Sequence, residues 1–116
     1  MSVTTFQRAG FVILDATGAG QVTISPTAGT WAITNTAVSV ATSTKQPTAR
    51  LYRGVVSPVN LLAASYTGAN DSNNDRIILQ QGTPLICVWT GGDVGARATM
   101  SITITQYTAP YAAPSE

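Results

Sequence analysis

Residues 96–107 read ARATMSITITQY, and Ala98, Met100, Ile102 and Ile104 alternate there with Thr99, Ser101, Thr103 and Thr105. Successive side chains of a strand point to opposite faces, so this pattern gives one apolar face and one hydroxyl face. A strand of that kind is half buried and belongs in an antiparallel sheet. The same signal, shorter and rougher, recurs in GFVILD (10–15), QVTIS (21–25), PTARLYRG (47–54), DRIILQ (75–80) and TPLICVWT (83–90). In PTARLYRG, Ala49 and Leu51 share one face while Arg50 and Tyr52 share the other.

TWAITNTAVSVATST (30–44) is long and rich in Thr and Val. Its apolar phase slips between Asn35 and Ala37, which predicts a bulge or bend. SPVNLLAASYTG (57–68) alternates least and reads as a helical turn or an irregular strand. Gly, Pro, Asn and Asp gather between these runs, in TGAG, SPTAG, GANDSNND, QQGTP and TGGDVGA. No segment holds helical spacing. About eight short strands with frequent turns predict an all-β protein, an antiparallel β-sandwich of jelly-roll type.

The chain has 116 residues, enough for one domain. Hydrophobic residues make up 44% and charged residues only 9%, so disorder driven by charge is excluded. The net charge is +1, and the six basic residues are scattered rather than gathered into the face that nucleic acid requires. The first residues, MSVTTFQRAGFVIL, lack the charged start and long apolar run of a secretory signal. No apolar stretch approaches the 18 or so residues of a membrane span. These features predict a soluble protein made in the cytoplasm, with a weakly charged surface suited to association.

Cys87 is the single cysteine and lies in an apolar run, which fits a small inert hydrophobe. The chain has no histidine, and so lacks the commonest general base and metal ligand. In SYTGANDSNND (65–75), Asp71, Asn73 and Asp75 alternate like the start of a calcium loop. Counted from Asp71, however, the sixth residue is Arg76 where a Gly is needed, and the twelfth is Gly82 where a bidentate Glu is needed. The stretch therefore reads as a turn built on Asn and Asp side chains. TGGDVGA lacks the Lys and Ser/Thr of a phosphate loop and reads as a hairpin connection. The four aspartates all fall in expected turns, with no sign of a catalytic pair. No catalytic, cofactor or metal site is expected. Trp31 and Trp89 read as core, whereas Tyr52, Tyr66, Asp71 and Tyr111 are the candidate surface contacts.

LDATGAGQVTISP, Trp31, PTARLYRG, SYTGAND and LICVWTGGDVGARATMSITITQY form a series. From about Gly10 to Tyr107 the series resembles the small β-sandwich virion proteins of tailed bacteriophages of actinobacteria. The resemblance rests on Pro47 with Tyr52 and Gly54, on the Tyr66-Thr67-Gly68 turn, and on Trp89 followed by Gly91, Asp93 and Gly95. It implies a non-enzymatic structural protein of the virion, made in the host cytoplasm. Such a protein docks on phage capsid or tail proteins as a decoration or accessory component and forms homo-oligomers. The expected organisation is an N-terminal arm over 1–9, a sandwich domain over 10–107 and an extended C-terminal tail over 108–116. The alternative is a carbohydrate-binding adsorption module or minor tail protein at the tail tip, contacting a host glycan.

Overall fold

The computed structural model describes residues 2–40, 45, 47–67, 70–73 and 76–108, with the backbone alone at 2, 63–67, 70–73 and 108. Nine strands run through them: β1 (Ser2–Ile13), β2 (Gly20–Ile24), β3 (Thr30–Val40), β4 (Thr48–Arg53), β5 (Leu61–Thr67), β6 (Asn70–Asn73), β7 (Ile77–Gln80), β8 (Leu85–Thr90) and β9 (Arg97–Thr108). One sheet has the order β1-β9-β3, with β6 and β7 both pairing to the far side of β3. The other has the order β2-β8-β4-β5, and every pairing in both sheets is antiparallel.

The pairings are nested. β1 meets β9, β2 meets β8, β3 meets β6 and β7, and β4 meets β5. Rolling that long hairpin up adds β9 against β3 and β8 against β4. Since β6 and β7 lie along one strand, this is the eight-stranded jelly roll, two Greek keys folded into a sandwich. The antiparallel registers sort the connections into two ends. Turns 14–19 and 91–96 lie at one end; segments 25–29, 54–60 and 81–84 lie at the other, where Tyr107 also pairs with Thr30.

Alternation places the core as expected. Ala98, Met100, Ile102 and Ile104 are all essentially buried and pack with Trp31, Ile33, Leu51, Leu79, Leu85 and Trp89. Fully burying one Leu- or Ile-sized side chain is worth about 1.5–3 kcal/mol, so this layer supplies most of the driving force. The Trp31 indole N–H donates to Gln106 Oε1 at 2.8 Å, and Phe6 meets the Trp31 ring edge-on, 5.8 Å between centroids at 81°. The phase slip in β3 is real: the β3–β9 register shifts between Ile33 and Asn35. The segment 57–68 is both things expected of it, a 3-10 turn over Pro58–Asn60 followed by β5.

Three expectations are corrected. From Ser2 onward, the predicted N-terminal arm over 1–9 is strand, paired with β9 from Ser2↔Thr108 to Ile13↔Arg97. Its partner lies at the far end of the chain, where local pattern reading does not reach. Asn70–Asn73 is not a turn but strand β6, with Asp71 opposite Val38, because the ladder to β3 overrides local Asn/Asp preference. Residues 74 and 75 lie outside the described residues. TGGDVGA is no hairpin within a sheet, since β8 and β9 belong to different sheets and the turn crosses between them. Of the predicted tail over 108–116, Thr108 is the last residue of β9 and the rest lies outside the described residues.

Candidate interaction surface

The residues singled out from sequence do not converge. Tyr52 is half-buried in β4, between Ile86 of β8 and Leu61 of β5. Tyr66 stands in β5 opposite Ala49, out of step with Tyr52. Asp71 belongs to the other sheet. Tyr111 lies outside the described residues. Tyr52 with Arg50 does occupy the outer face of its sheet, as the alternation in PTARLYRG implies: Ala49 and Leu51 are buried, while Arg50 is exposed.

The surface that stands out is the connection from β4 to β5. Val55, Val56, Pro58, Val59 and Leu61 are all exposed, and Val59 is 91% exposed. Local bonds hold them there. Asn60 Nδ2–H donates to Arg53 O at 2.7 Å, and the Ser57 hydroxyl donates to Asn60 Oδ1 at 3.3 Å. The Asn60 N–H donates to Ser57 O, and Gly54 N–H donates across to Pro84 O, each at 2.9 Å. Pro58 sets the first position of the 3-10 turn, where a missing N–H costs nothing. The loop thus has a defined shape that presents apolar side chains to water.

Arg53 is the single charged side chain at this end among the described residues. Its guanidinium donates to Ile78 O on β7 at 3.2 Å, tying one sheet to the edge of the other. A shallow cleft of about 300 Å³ lies beside it, lined by Arg53, Ile78, Gln80 and Thr83. The arrangement offers apolar contact, one cation and amide and hydroxyl groups. It is equipped to bind and carries no acid, base or strong nucleophile.

At the opposite end the turns 14–19 and 91–96 bond to each other, and Val94 is the large exposed apolar side chain between them among the described residues. Asp15 accepts from the Thr17 hydroxyl at 2.7 Å, the Thr17 N–H at 2.8 Å and the Ala19 N–H at 3.1 Å. These bonds, the hydroxyl first, lower its pKa below the ordinary carboxyl range. Gly92 N–H donates to Gly18 O and Gly95 N–H to Leu14 O, each at 3.0 Å, so the two turns bind each other. Burial raises the Cys87 thiol to about 12, which suits an inert core residue. Among the described residues no three Asp, Glu, His or Cys side chains gather as a metal site, and no helix is long and apolar enough to cross a membrane. Compared with known proteins, the chain matches no family model and no curated protein.

Sequence reading gives 57–68 its local shape, but the candidate contacts read from it do not include the 54–61 loop. Its signal was present in GVVSPVNL, an apolar run interrupted by Pro58 and too short of alternation to be a core strand.

Proposed function

We propose that the protein is a non-enzymatic structural component of a tailed-phage virion, a decoration or accessory protein that docks on capsid or tail subunits. The observation that carries this reading is the shaped apolar loop Gly54–Leu61, at an end of a jelly roll with no acidic side chain among the described residues. An exposed apolar cluster this small yields a weak contact alone. On a repeating lattice many such contacts add, and avidity rises steeply without new chemistry. The low charge of the chain suits a surface that is covered after assembly. The resemblance of the strand and turn series to small virion β-sandwiches points the same way.

The test is reconstitution. Particles stripped of the protein are mixed with purified wild type and with Val59→Asp. Wild type is expected to rebind at a fixed stoichiometry and the variant to remain in the supernatant. Absence of wild-type rebinding at any ratio overturns the reading. Copy number per particle, counted by quantitative mass spectrometry, separates capsid from tail: hundreds for a capsid lattice, a handful for a tail tip.

A further inference from the structure

The outer strand of the larger sheet is β1, and among the described residues its one strand partner is β9. It is twelve residues long, an edge of about 40 Å at 3.4 Å per residue. Natural edges of that length are blunted by Pro, by Lys, by bulges or by cover. β1 holds no Pro or Lys, its ladder to β9 runs without a bulge, and Arg8 is its single charge. Its side chains divide by parity. Phe6 and Val12 pack toward the core, while Val3, Phe11 and Ile13 face outward and are 53%, 55% and 53% exposed.

We infer that β1 is a dimerisation strand, pairing antiparallel with β1 of a second copy about a two-fold axis through Gln7. The inference does not rest on the virion reading. Three features select the partner and the register. A two-fold axis normal to the sheet keeps outward residues with outward residues, so only even registers are allowed. Centred on Gln7, the pairing sets Val3 of each copy opposite Phe11 of the other, and Thr5 opposite Ala9. Val3 and Phe11 then cover each other, and Ile13 lies past the described end of the other strand. Centred instead on Arg8, it sets two arginines directly opposite, which is unfavourable. Centred on Phe6, it sets Val3 opposite Ala9 and carries Phe11 past Ser2, the first described residue of the other copy.

On the inner side the Gln7 register places Arg8 opposite Phe6 of the other copy. Within one chain the Arg8 guanidinium already lies 5.7 Å from the Phe6 ring centre, so the contact would be doubled. Arg97 stacks over Phe11 at 4.0 Å and would flank the Val3 contact. Area agrees. The molecule is 20 Å across its shortest axis. An edge wall about 40 Å long and one sandwich deep offers about 800 Å² per copy, the size of a standard stable interface. The outcome is one sheet continuous through both copies.

The test uses purified full chain and no particle, so its result is independent of reconstitution. Sedimentation is expected to show a dimer. Phe11→Glu and Val3→Lys should each weaken it by about tenfold or more, because either buries a charge against an apolar partner. Combined, they should restore it by pairing opposite charges across the axis. Both positions are exposed, so the monomer fold survives. Register is read by cross-linking: Gln7→Cys should give a disulfide-linked dimer. Ala9→Cys should not, since its two copies would sit about 13 Å apart. Cys87 is fully buried and does not compete. A wild-type monomer at every concentration, a dimer indifferent to Phe11→Glu, or preferential linkage through position 9 overturns the inference.

Discussion

At the end carrying Asp15 and Asp93, the chain turns are packed against one another. At the other end, the loop from β4 to β5 packs against little besides itself. The contrast is chemical as well as geometric. Turns 14–19 and 91–96 are held by Gly, Asp and backbone bonds, with Leu14 and Gly92 buried beneath and Val94 left exposed. The open end is made of Val, Pro and Leu, with bonds that fix the shape of the loop but cover none of its apolar atoms. The two ends are held together differently, and substitutions at each should report different properties.

The largest effect is expected from Gly18→Ala. Gly18 has φ +76, and an added Cβ would lie 2.1 Å from the Gly92 carbonyl oxygen, a backbone atom with no room to retreat. Strain and clash together should cost about 3 kcal/mol or more, read as a lowered urea midpoint. Gly91→Ala is the control at the same end. Its φ is +75 but an added Cβ meets nothing within 4 Å, so conformational strain alone should cost about 1 kcal/mol. Equal losses for the two variants would mean that the two turns are not held by this close approach.

Asn60→Ala at the open end removes the side-chain bond to Arg53 O and should cost about 1 kcal/mol. It should also loosen the loop, seen as faster amide exchange at Val59 and Leu61 while β9 stays protected. Val59→Asp should leave stability within about 0.5 kcal/mol of wild type, since the side chain touches almost nothing, yet it should abolish rebinding to particles. A large stability loss there would erase the distinction between the ends.

The smallest effect is electrostatic. The Asp15 carboxyl is lowered from its ordinary value of 3.8 by hydrogen bonds to its charged form. The folded state therefore gains from ionised Asp15 at pH above that value, and loses the gain as pH falls through the lowered one. Wild type should thus lose slightly more stability than Asp15→Asn between neutral and strongly acid pH. The denaturation midpoint of each, followed against pH, checks this.

Much of the fold was legible because alternation and burial are the same fact seen twice. The four inward residues of β9, the face split at Ala49 and Leu51, the core role of both tryptophans and the β3 bulge all follow from local spacing. What local spacing does not carry is partnership. A Gly-rich reversal after Trp89 looks the same whether the next strand joins its own sheet or the one opposite. Asn70–Asn73 has the composition of a turn, and only the ladder to β3 makes it a strand. Residues 2–9 look loose because Thr4 and Arg8 share the inner parity with Phe6, and their pairing depends on residues about a hundred positions away. Among the candidate contacts, Tyr52 was placed correctly on an outer face. The valine loop was not among those contacts because exposed apolar side chains resemble buried ones until burial is known.

One further consequence follows from the nested strand order. Both neighbours of β9, namely β1 and β3, must wait for β9 to leave the ribosome before their shared sheet can close. Contacts so distant in sequence form slowly, and until they form the nascent protein exposes two unsatisfied ladders. A chain cut short before Arg97 should therefore be an insoluble product rather than a smaller folded one, which makes the hydroxyl-lined β9 the keystone of biogenesis.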